Sequence, residues 1–352
     1  MLIETSDVIY ETFFQHAQLE ITGRCNMRCE HCRAWNEKRI DMPLRTVKKI
    51  LEFATSNSES DFRLTISGGE PFLHHDLVDI IYLAKEMRVE NVIITTNGSL
   101  VTNQKIAELE SVGLNNLCIQ VSIDSIDPQR HDTFRSYKGA FEKAVDCLKR
   151  VTQSKLIASS RATVTPTTLN EVEKIVQLAK ICGATRVGIG SVIPVGKGSI
   201  NKELLMTSTQ KKKFLEIVSG CKKKYTEINV TTEDPLKFAI PGKIWDYGNF
   251  DYTNSAFFGG CTAGVTGFNA DNEGTITPCA TLLKPIVNVQ NKTTEEILKE
   301  YTSSEIIRNL IARKFSGKCG KCKLRRLCGG CRAVAEGTSG DYLSSDITCW
   351  RA

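Results

Sequence analysis

The sequence predicts an α/β fold: an open, partial barrel of six βα units followed by a smaller cysteine-rich region. Three observations carry this expectation. Between residues 17 and 231, short apolar runs alternate with amphipathic segments, the pattern of repeated βα units. A Cx3Cx2C run, Cys25, Cys29 and Cys32, directly follows the first apolar run. Seven more cysteines are concentrated between residues 261 and 349.

Taken in order, the predicted strands are Ala17 to Thr22, Phe62 to Ser67, Asn91 to Thr95, Leu117 to Ile123, Ile157 to Val164 and Arg186 to Ser191. Helical periodicity fits Leu44 to Thr55, His75 to Met87, Thr102 to Val112, Ala140 to Val151, Leu169 to Cys182 and Ser208 to Lys223. Six units are too few to close an eight-fold TIM barrel, but right-handed crossovers between parallel strands make a partial, TIM-like one. Functional groups in such folds gather at the C-terminal ends of the strands, where Cys25 falls. A helix-poor stretch rich in Gly, Asn and aromatics, residues 236–260, reads as a linker between a first domain, 1–235, and a second, 261–352, made of short loops.

Composition narrows the function. The formal charge of +6 arises from 46 basic and 40 acidic residues, well mixed along the chain, so no nucleic-acid partner is called for. The runs Lys211-Lys212-Lys213 and Lys222-Lys223-Lys224 read as solvated helix faces. The sequence has neither an 18-residue apolar stretch nor an export signal, which predicts a cytoplasmic protein with no membrane partner. Fourteen cysteines in that reducing setting point to metal ligation rather than to disulfides. Cys118, Cys147, Cys182 and Cys221 are scattered singly and read as small buried hydrophobes.

Three thiolates on one short loop can hold three irons of a cubane cluster and leave the fourth open for another ligand, since a four-iron cluster normally takes four cysteines. The alternative for such a loop is half of a zinc site. Ser67-Gly68-Gly69-Glu70-Pro71 follows the second predicted strand, Thr96-Asn97-Gly98 the third and Val121-Ser122-Ile123-Asp124 the fourth. The two glycines allow close approach of backbone to a ligand. Asn97-Gly98 also reads as a plain turn, and Arg135 as a surface ion pair.

Together these motifs resemble the radical S-adenosylmethionine (radical SAM) enzymes. The resemblance implies that the open iron chelates the amino and carboxylate groups of SAM. It further implies that Glu70 accepts a hydrogen bond from the methionyl ammonium, with Gly68, Gly69, Asn97 and Ser122 around it, and that Arg135 pairs with the SAM carboxylate. Pro194-Val195-Gly196-Lys197-Gly198 resembles the family's adenine-side loop. In the implied chemistry an electron from the cluster splits SAM into methionine and a 5′-deoxyadenosyl radical, which abstracts hydrogen from a substrate C–H bond.

The later cysteines, Cys261, Cys279, Cys319, Cys322, Cys328, Cys331 and Cys349, resemble the SPASM extension, which binds two auxiliary iron–sulfur clusters, here expected to be 4Fe-4S. The resemblance assigns Cys261, Cys279 and Cys331 to one and Cys319, Cys322, Cys328 and Cys349 to the other. The Cys328-x2-Cys331 spacing is one residue shorter than the family's. No cysteine lies between Cys221 and Cys261, so the first cluster has three thiolates, and an open iron, Cys221, a water or another side chain completes it. A zinc knuckle is the competing reading of Cx2Cx5Cx2C.

SPASM enzymes mostly modify ribosomally made peptides through crosslinks, thioethers or epimerisation, and that is the first substrate reading. Haem-precursor side-chain removal and aminocyclitol oxidation are alternatives, the former matching His31-Cys32-Arg33-Ala34. Ala280 stands where the sulfatase-maturing group carries its catalytic Asp, which lowers that reading. About twenty residues precede the first cysteine. A separate leader-binding protein, or a small substrate, is therefore expected, with flavodoxin or ferredoxin as electron donor. No substrate acid, base or hydrogen donor is identified; Asp124, Tyr137 and Cys118 read as structural. The non-enzyme alternative is an iron–sulfur electron carrier or redox sensor, which would have no use for Gly68-Gly69-Glu70.

Overall fold

The computed structural model describes residues 1–241 and 259–351. An N-terminal hairpin pairs β1 (Leu2–Glu4) with β2 (Ile9–Glu11). The main sheet then takes β3 (Phe14–Thr22), β4 (Ser58–Gly68), β5 (Asn91–Thr96), β6 (Asn116–Ser122), β7 (Ile157–Val164), β8 (Arg186–Ser191) and β9 (Asn229–Thr231), parallel and in sequential order. Crossovers between them carry α1 (Leu44–Thr55), α2 (Leu77–Glu86), α3 (Asn103–Ser111), α4 (Pro128–Arg135), α5 (Ala140–Thr152), α6 (Val172–Ile181), the single turn α7 (Lys197–Ile200) and α8 (Ser208–Lys224). The α/β partial barrel expected from the sequence is observed. Its seventh parallel strand, β9, is too short to leave a periodic signal.

Strand periodicity of two gives the sheet two unlike faces. Ala17, Leu19, Ile21, Leu64, Ile66, Val92, Ile94, Leu117 and Ile119 are fully buried in one core with Val47, Ile50 and Leu51 of α1. The alternate residues are polar. Gln18 Nε2 donates to Ser67 Oγ at 2.7 Å, and Gln120 Nε2 donates to Ser159 Oγ at 3.2 Å. The sheet curls around this polar face. Six strand steps separate β3 from β9, roughly 29 Å if flat, yet Glu233, just past β9, acts electrostatically on His16 of β3.

The region after residue 259 departs from the expected run of short loops. β10 (Gly267–Ala270) adds to β3 in parallel, and β11 (Thr275–Thr277) and β12 (Val287–Asn288) follow antiparallel, so this region extends the main sheet. Helices α9 (Thr294–Ser303), α10 (Glu305–Ile311), α11 (Gly317–Lys321) and α12 (Arg332–Ser339) complete it. Phe14 meets Phe53, Phe268 and Tyr301 edge-on at 5.3, 4.7 and 5.4 Å between ring centres, and Tyr301 donates to Gly264 O at 3.0 Å. One aromatic cluster thus joins the N- and C-terminal parts. Of the expected linker 236–260, Pro235–Ala239 is a short 3-10 helix and residues 242–258 lie outside the described residues. Among the described residues no helix is long and apolar enough to cross a membrane.

Candidate active site at the strand ends

The loop after β3 carries Cys25, Cys29 and Cys32 and is fastened on every side. Arg24 forks onto Asp41, Nε to Oδ1 at 2.9 Å and Nη2 to Oδ2 at 2.5 Å. Glu70 N–H donates to Arg24 O at 2.8 Å. Gly69 is required there, because a Cβ would lie 2.1 Å from that same carbonyl oxygen. Asn97 Nδ2 donates to Asn26 Oδ1 at 3.0 Å, joining the cysteine loop to the turn after β5. On the far side Lys197 N–H donates to Cys32 O at 3.0 Å and Asn201 Nδ2 to Glu30 O at 2.7 Å. The Pro194–Gly198 loop therefore clamps the cysteine loop, a contact that nothing in the spacing announces.

Burial pushes the Cys25 thiol up to about 11 and raises that of Cys32 as well. Taking up a metal must therefore displace their protons. Among the described residues the one triad whose ligand atoms all lie within 4.8 Å of one another is Asp41, His74 and His75. The cysteine sulfurs are spread more widely than the roughly 3.8 Å that a single tetrahedral zinc with 2.3 Å bonds imposes. That spread suits a larger cluster. The Asp41 triad is a hydrogen-bonded brace: His74 Nδ1 accepts from Asp76 N–H at 3.1 Å, Nε2 contacts Met42 O at 3.0 Å, and Asp41 is held by Arg24.

The other predicted residues converge on the same edge. The buried Glu70 carboxylate accepts from Thr96 Oγ1 at 2.7 Å, Asn97 N–H at 2.8 Å and Phe72 N–H at 3.2 Å. Burial raises its pKa, and those donors offset part of the rise. Its evident structural work is to hold the Thr96-Asn97-Gly98 turn. Ser122 ends β6 beside Arg161, its register partner. Arg135 is buried rather than on the surface: Nε and Nη2 bind Asp124 Oδ2 at 2.7 and 2.6 Å, and Nη1 lies 3.9 Å from Cys29 Sγ. Burial alone would raise Asp124, but Arg135 and His131 hold its carboxyl below the usual range. Asp124 thus holds the Arg135 guanidinium in place. His31 stacks on Phe134 at 4.3 Å between ring centres, and burial lowers it to about 4. The Tyr137 hydroxyl meets Lys143 Nζ at 3.2 Å.

An acid pair that no spacing announces lies beside the loop. Arg33 spans Glu20 of β3 at 2.7 Å and Glu37 at 3.3 Å. Burial and the nearby Glu20 carboxyl push Glu37 up to about 9. The folded chain then keeps a proton that the unfolded chain releases near pH 4.3. Stability should therefore fall as pH rises from there to about 9, and Glu37→Gln should flatten that dependence. Denaturant midpoints across the window test this, and an unchanged slope in the variant would refute it.

The C-terminal thiols form two neighbourhoods. Burial raises Cys331, and Cys261 and Cys279 raise it further. Cys349 is raised by burial and then by Asp346, Cys319 and Cys322, whereas Cys328 is raised by burial and by Cys349. Cys221, offered as a fourth ligand of the first set, is instead buried in α8 near Glu173 and Lys224. Cys118, Cys147 and Cys182 are also buried. Asp346 accepts from Cys331 N–H at 2.8 Å while its own N–H points to Cys319 Sγ at 3.5 Å. Arg332, fully buried, donates to Tyr342 O and Ser344 O at 3.0 and 2.6 Å and reaches Cys319 Sγ at 3.5 Å. Neither residue stands out in the sequence.

An open α/β barrel that gathers a cysteine triad, a glycine-rich strand end and a buried carboxylate at its C-terminal rim has the donor types of a metal-cluster site where such folds place their active centres. Comparisons with known proteins agree. The family profile described as the Radical SAM superfamily matches residues 19–179. The chain is 27% identical to an AdoMet-dependent heme synthase of Methanosarcina barkeri over 94% of either chain, and 25% identical to a PqqA peptide cyclase of Rhizobium meliloti over 95% of this chain and 86% of that one. In structure it resembles Streptococcus suis SuiB bound to S-adenosylmethionine, with TM-score 0.75, 17% identity and coverage of 97% of this chain and 78% of that one. Residues 19–179 are a radical SAM domain, and the cysteine-rich C-terminal region is similar to that of SPASM-type relatives. A radical SAM domain implies a 4Fe-4S cluster and SAM.

Proposed function

We propose that Cys25, Cys29 and Cys32 hold the SAM-binding cluster, with Gly68, Gly69, Glu70, Asn97, Ser122 and Arg135 shaping the pocket beside it. The observation that carries this reading is the hydrogen-bonded junction of the cysteine loop with Gly69, Glu70 and Asn97 at one sheet edge. When bound, cluster and SAM together supply a 5′-deoxyadenosyl radical able to take hydrogen from a substrate C–H bond. The protein's own part is placement. Asp124 grips one edge of the Arg135 guanidinium, which leaves Nη1 directed at Cys29 Sγ. Glu70 fixes the Asn97 turn, and Gly68 and Gly69 let the backbone of Thr22 and Arg24 pack closely against this strand end.

Cys261, Cys279 and Cys331 would hold one auxiliary cluster and Cys319, Cys322, Cys328 and Cys349 a second. A flavodoxin or ferredoxin would supply electrons in the cytoplasm, and a separate protein would present a leader peptide. The substrate is a ribosomally made peptide, a reading supported by the PqqA peptide cyclase relative. Haem-precursor side-chain removal is the second reading, supported by the AdoMet-dependent heme synthase relative. Anaerobic turnover of short precursor peptides and of iron-tetrapyrroles, followed by mass spectrometry, separates them. Loss of two hydrogens from a peptide marks crosslinking, unchanged mass with deuterium uptake marks epimerisation, and loss of carbon dioxide or acetate marks the haem route. Absence of 5′-deoxyadenosine from reduced, cluster-replete protein with every substrate would sink the enzymatic reading.

A further inference from the structure

Among the described residues, the polar face of the curled sheet carries more positive charge than its carboxylates neutralise. Arg63 of β4 is the register partner of His16 of β3, Arg161 of β7 that of Ser122 at the rim, and Arg186 of β8 that of Ser159. All three arginines, with His16, act on the single carboxylate of Glu233. Among the described residues no hydrogen bond or close ion pair engages these guanidiniums, and Arg186 Nε is buried without a hydrogen-bond partner. Burial lowers His16 to about 4, so it adds no charge at neutral pH. Lys237, which donates to Thr232 O at 2.9 Å, is a further cation within reach of Glu233, while Asp234 is taken by Lys211 at 2.7 Å. Among the described residues, three guanidiniums share the one carboxylate of Glu233, an excess of two.

The same face is open. Glu233 is exposed although surrounding protein desolvates it. β8 turns Gly188 and Gly190 to the same side, facing Thr231, Gln120 and Arg161. A Cβ on Gly190 would have only Arg161 Nη2 nearby, at 3.9 Å, and one on Gly188 nothing nearer than Thr231 Oγ1 at 3.7 Å. Glycines in mid-strand forgo packing and mark a place where something else approaches. Arginines used only for structure would be paired, because an unpaired buried charge is costly.

We propose that Arg63, Arg161 and Arg186 form a receptor for a substrate bearing at least two carboxylates, held on the concave face of the sheet beneath the SAM-proximal rim. The proposal rests on the reading of the rim as the radical site and names the chemistry of what that site acts on. Arginine suits the task because its planar fork binds carboxylate oxygens in pairs. Tetrapyrrole propionates and acidic side chains of a peptide share this chemistry.

Binding to anaerobically reconstituted protein tests it without needing turnover. The probes are iron coproporphyrin III against its tetramethyl ester, followed by absorbance, and a short peptide with two glutamates against its two-glutamine counterpart, followed by calorimetry. One acid should bind at least tenfold more tightly than its neutral twin. Arg161→Gln and Arg186→Gln should each weaken that acid by about 10- to 100-fold, and Arg186→Lys should lose less than Arg186→Gln. Preference for the porphyrin acid assigns a tetrapyrrole, and preference for the peptide acid an acidic peptide. If neither acid outbinds its twin, or both glutamine variants bind as the wild type does, the receptor is refuted. Should a variant fail to take up iron, the acid-against-twin comparison on wild type decides alone. Formation of 5′-deoxyadenosine by wild type without probe tests the radical reading separately.

Discussion

Replacing Cys25, Cys29 and Cys32 together by alanine is expected to remove about four irons per chain and to bring 5′-deoxyadenosine formation below detection. The fold should survive. The loop keeps the Arg24 fork on Asp41, the Asn97 contact to Asn26 and the Lys197 contact to Cys32 O, none of which uses a sulfur. Iron and sulfide assays with chromatography of the SAM cleavage products provide the readout. The C-terminal thiols occupy separate neighbourhoods, so their iron should remain, which distinguishes loss of one cluster from general collapse. Persistent SAM cleavage in the triple variant, or proportional loss of all iron, would contradict the assignment.

Asp124→Ala should cost about 3–5 kcal/mol of stability, the usual result of removing one partner of a buried ion pair. Asp124 receives Arg135 at 2.7 and 2.6 Å and also Thr163 N–H at 2.8 Å, so the substitution strands a buried guanidinium and a backbone donor together. Asp124→Asn keeps an acceptor for Thr163 and should cost less. The pH dependence follows from the depressed carboxyl: its contribution is present above the unfolded carboxylate pKa and is lost as pH falls through the lower folded value. Asp124 therefore weakens the fold toward acid, whereas Glu37 weakens it toward alkali. Anaerobic denaturant unfolding at several pH values checks both directions, and an Asp124→Ala variant as stable as wild type would refute the first.

Much of the barrel was legible because its strands obey simple patterns. β7, β8 and α1 begin and end at the predicted residues, since an apolar run bounded by polar turns leaves little freedom of register. The helices after residue 290 were missed, although signals were present. Thr293 and Glu296 form a capping box that opens α9, and α4 opens with Asp127 accepting from Arg130 N–H and Pro128 at its first position. Closely spaced cysteines and glycines suggested loops and hid that local pattern.

The linear order of residues specifies the chemistry on offer: a three-cysteine loop after the first barrel strand, a Gly-Gly-Glu turn after the second, and seven further thiols near the C-terminus. Ligand types and short spacings are local properties, readable along the chain. Packing in three dimensions selects which distant groups meet. It buries Arg135 between Asp124 and Cys29, carries Cys221 away from the C-terminal thiols and extends the main sheet through β10. By curling that sheet it also brings arginines from β4, β7 and β8 around Glu233. Long-range pairings of this kind come from packing an apolar face against helices, and no spacing along the chain records them.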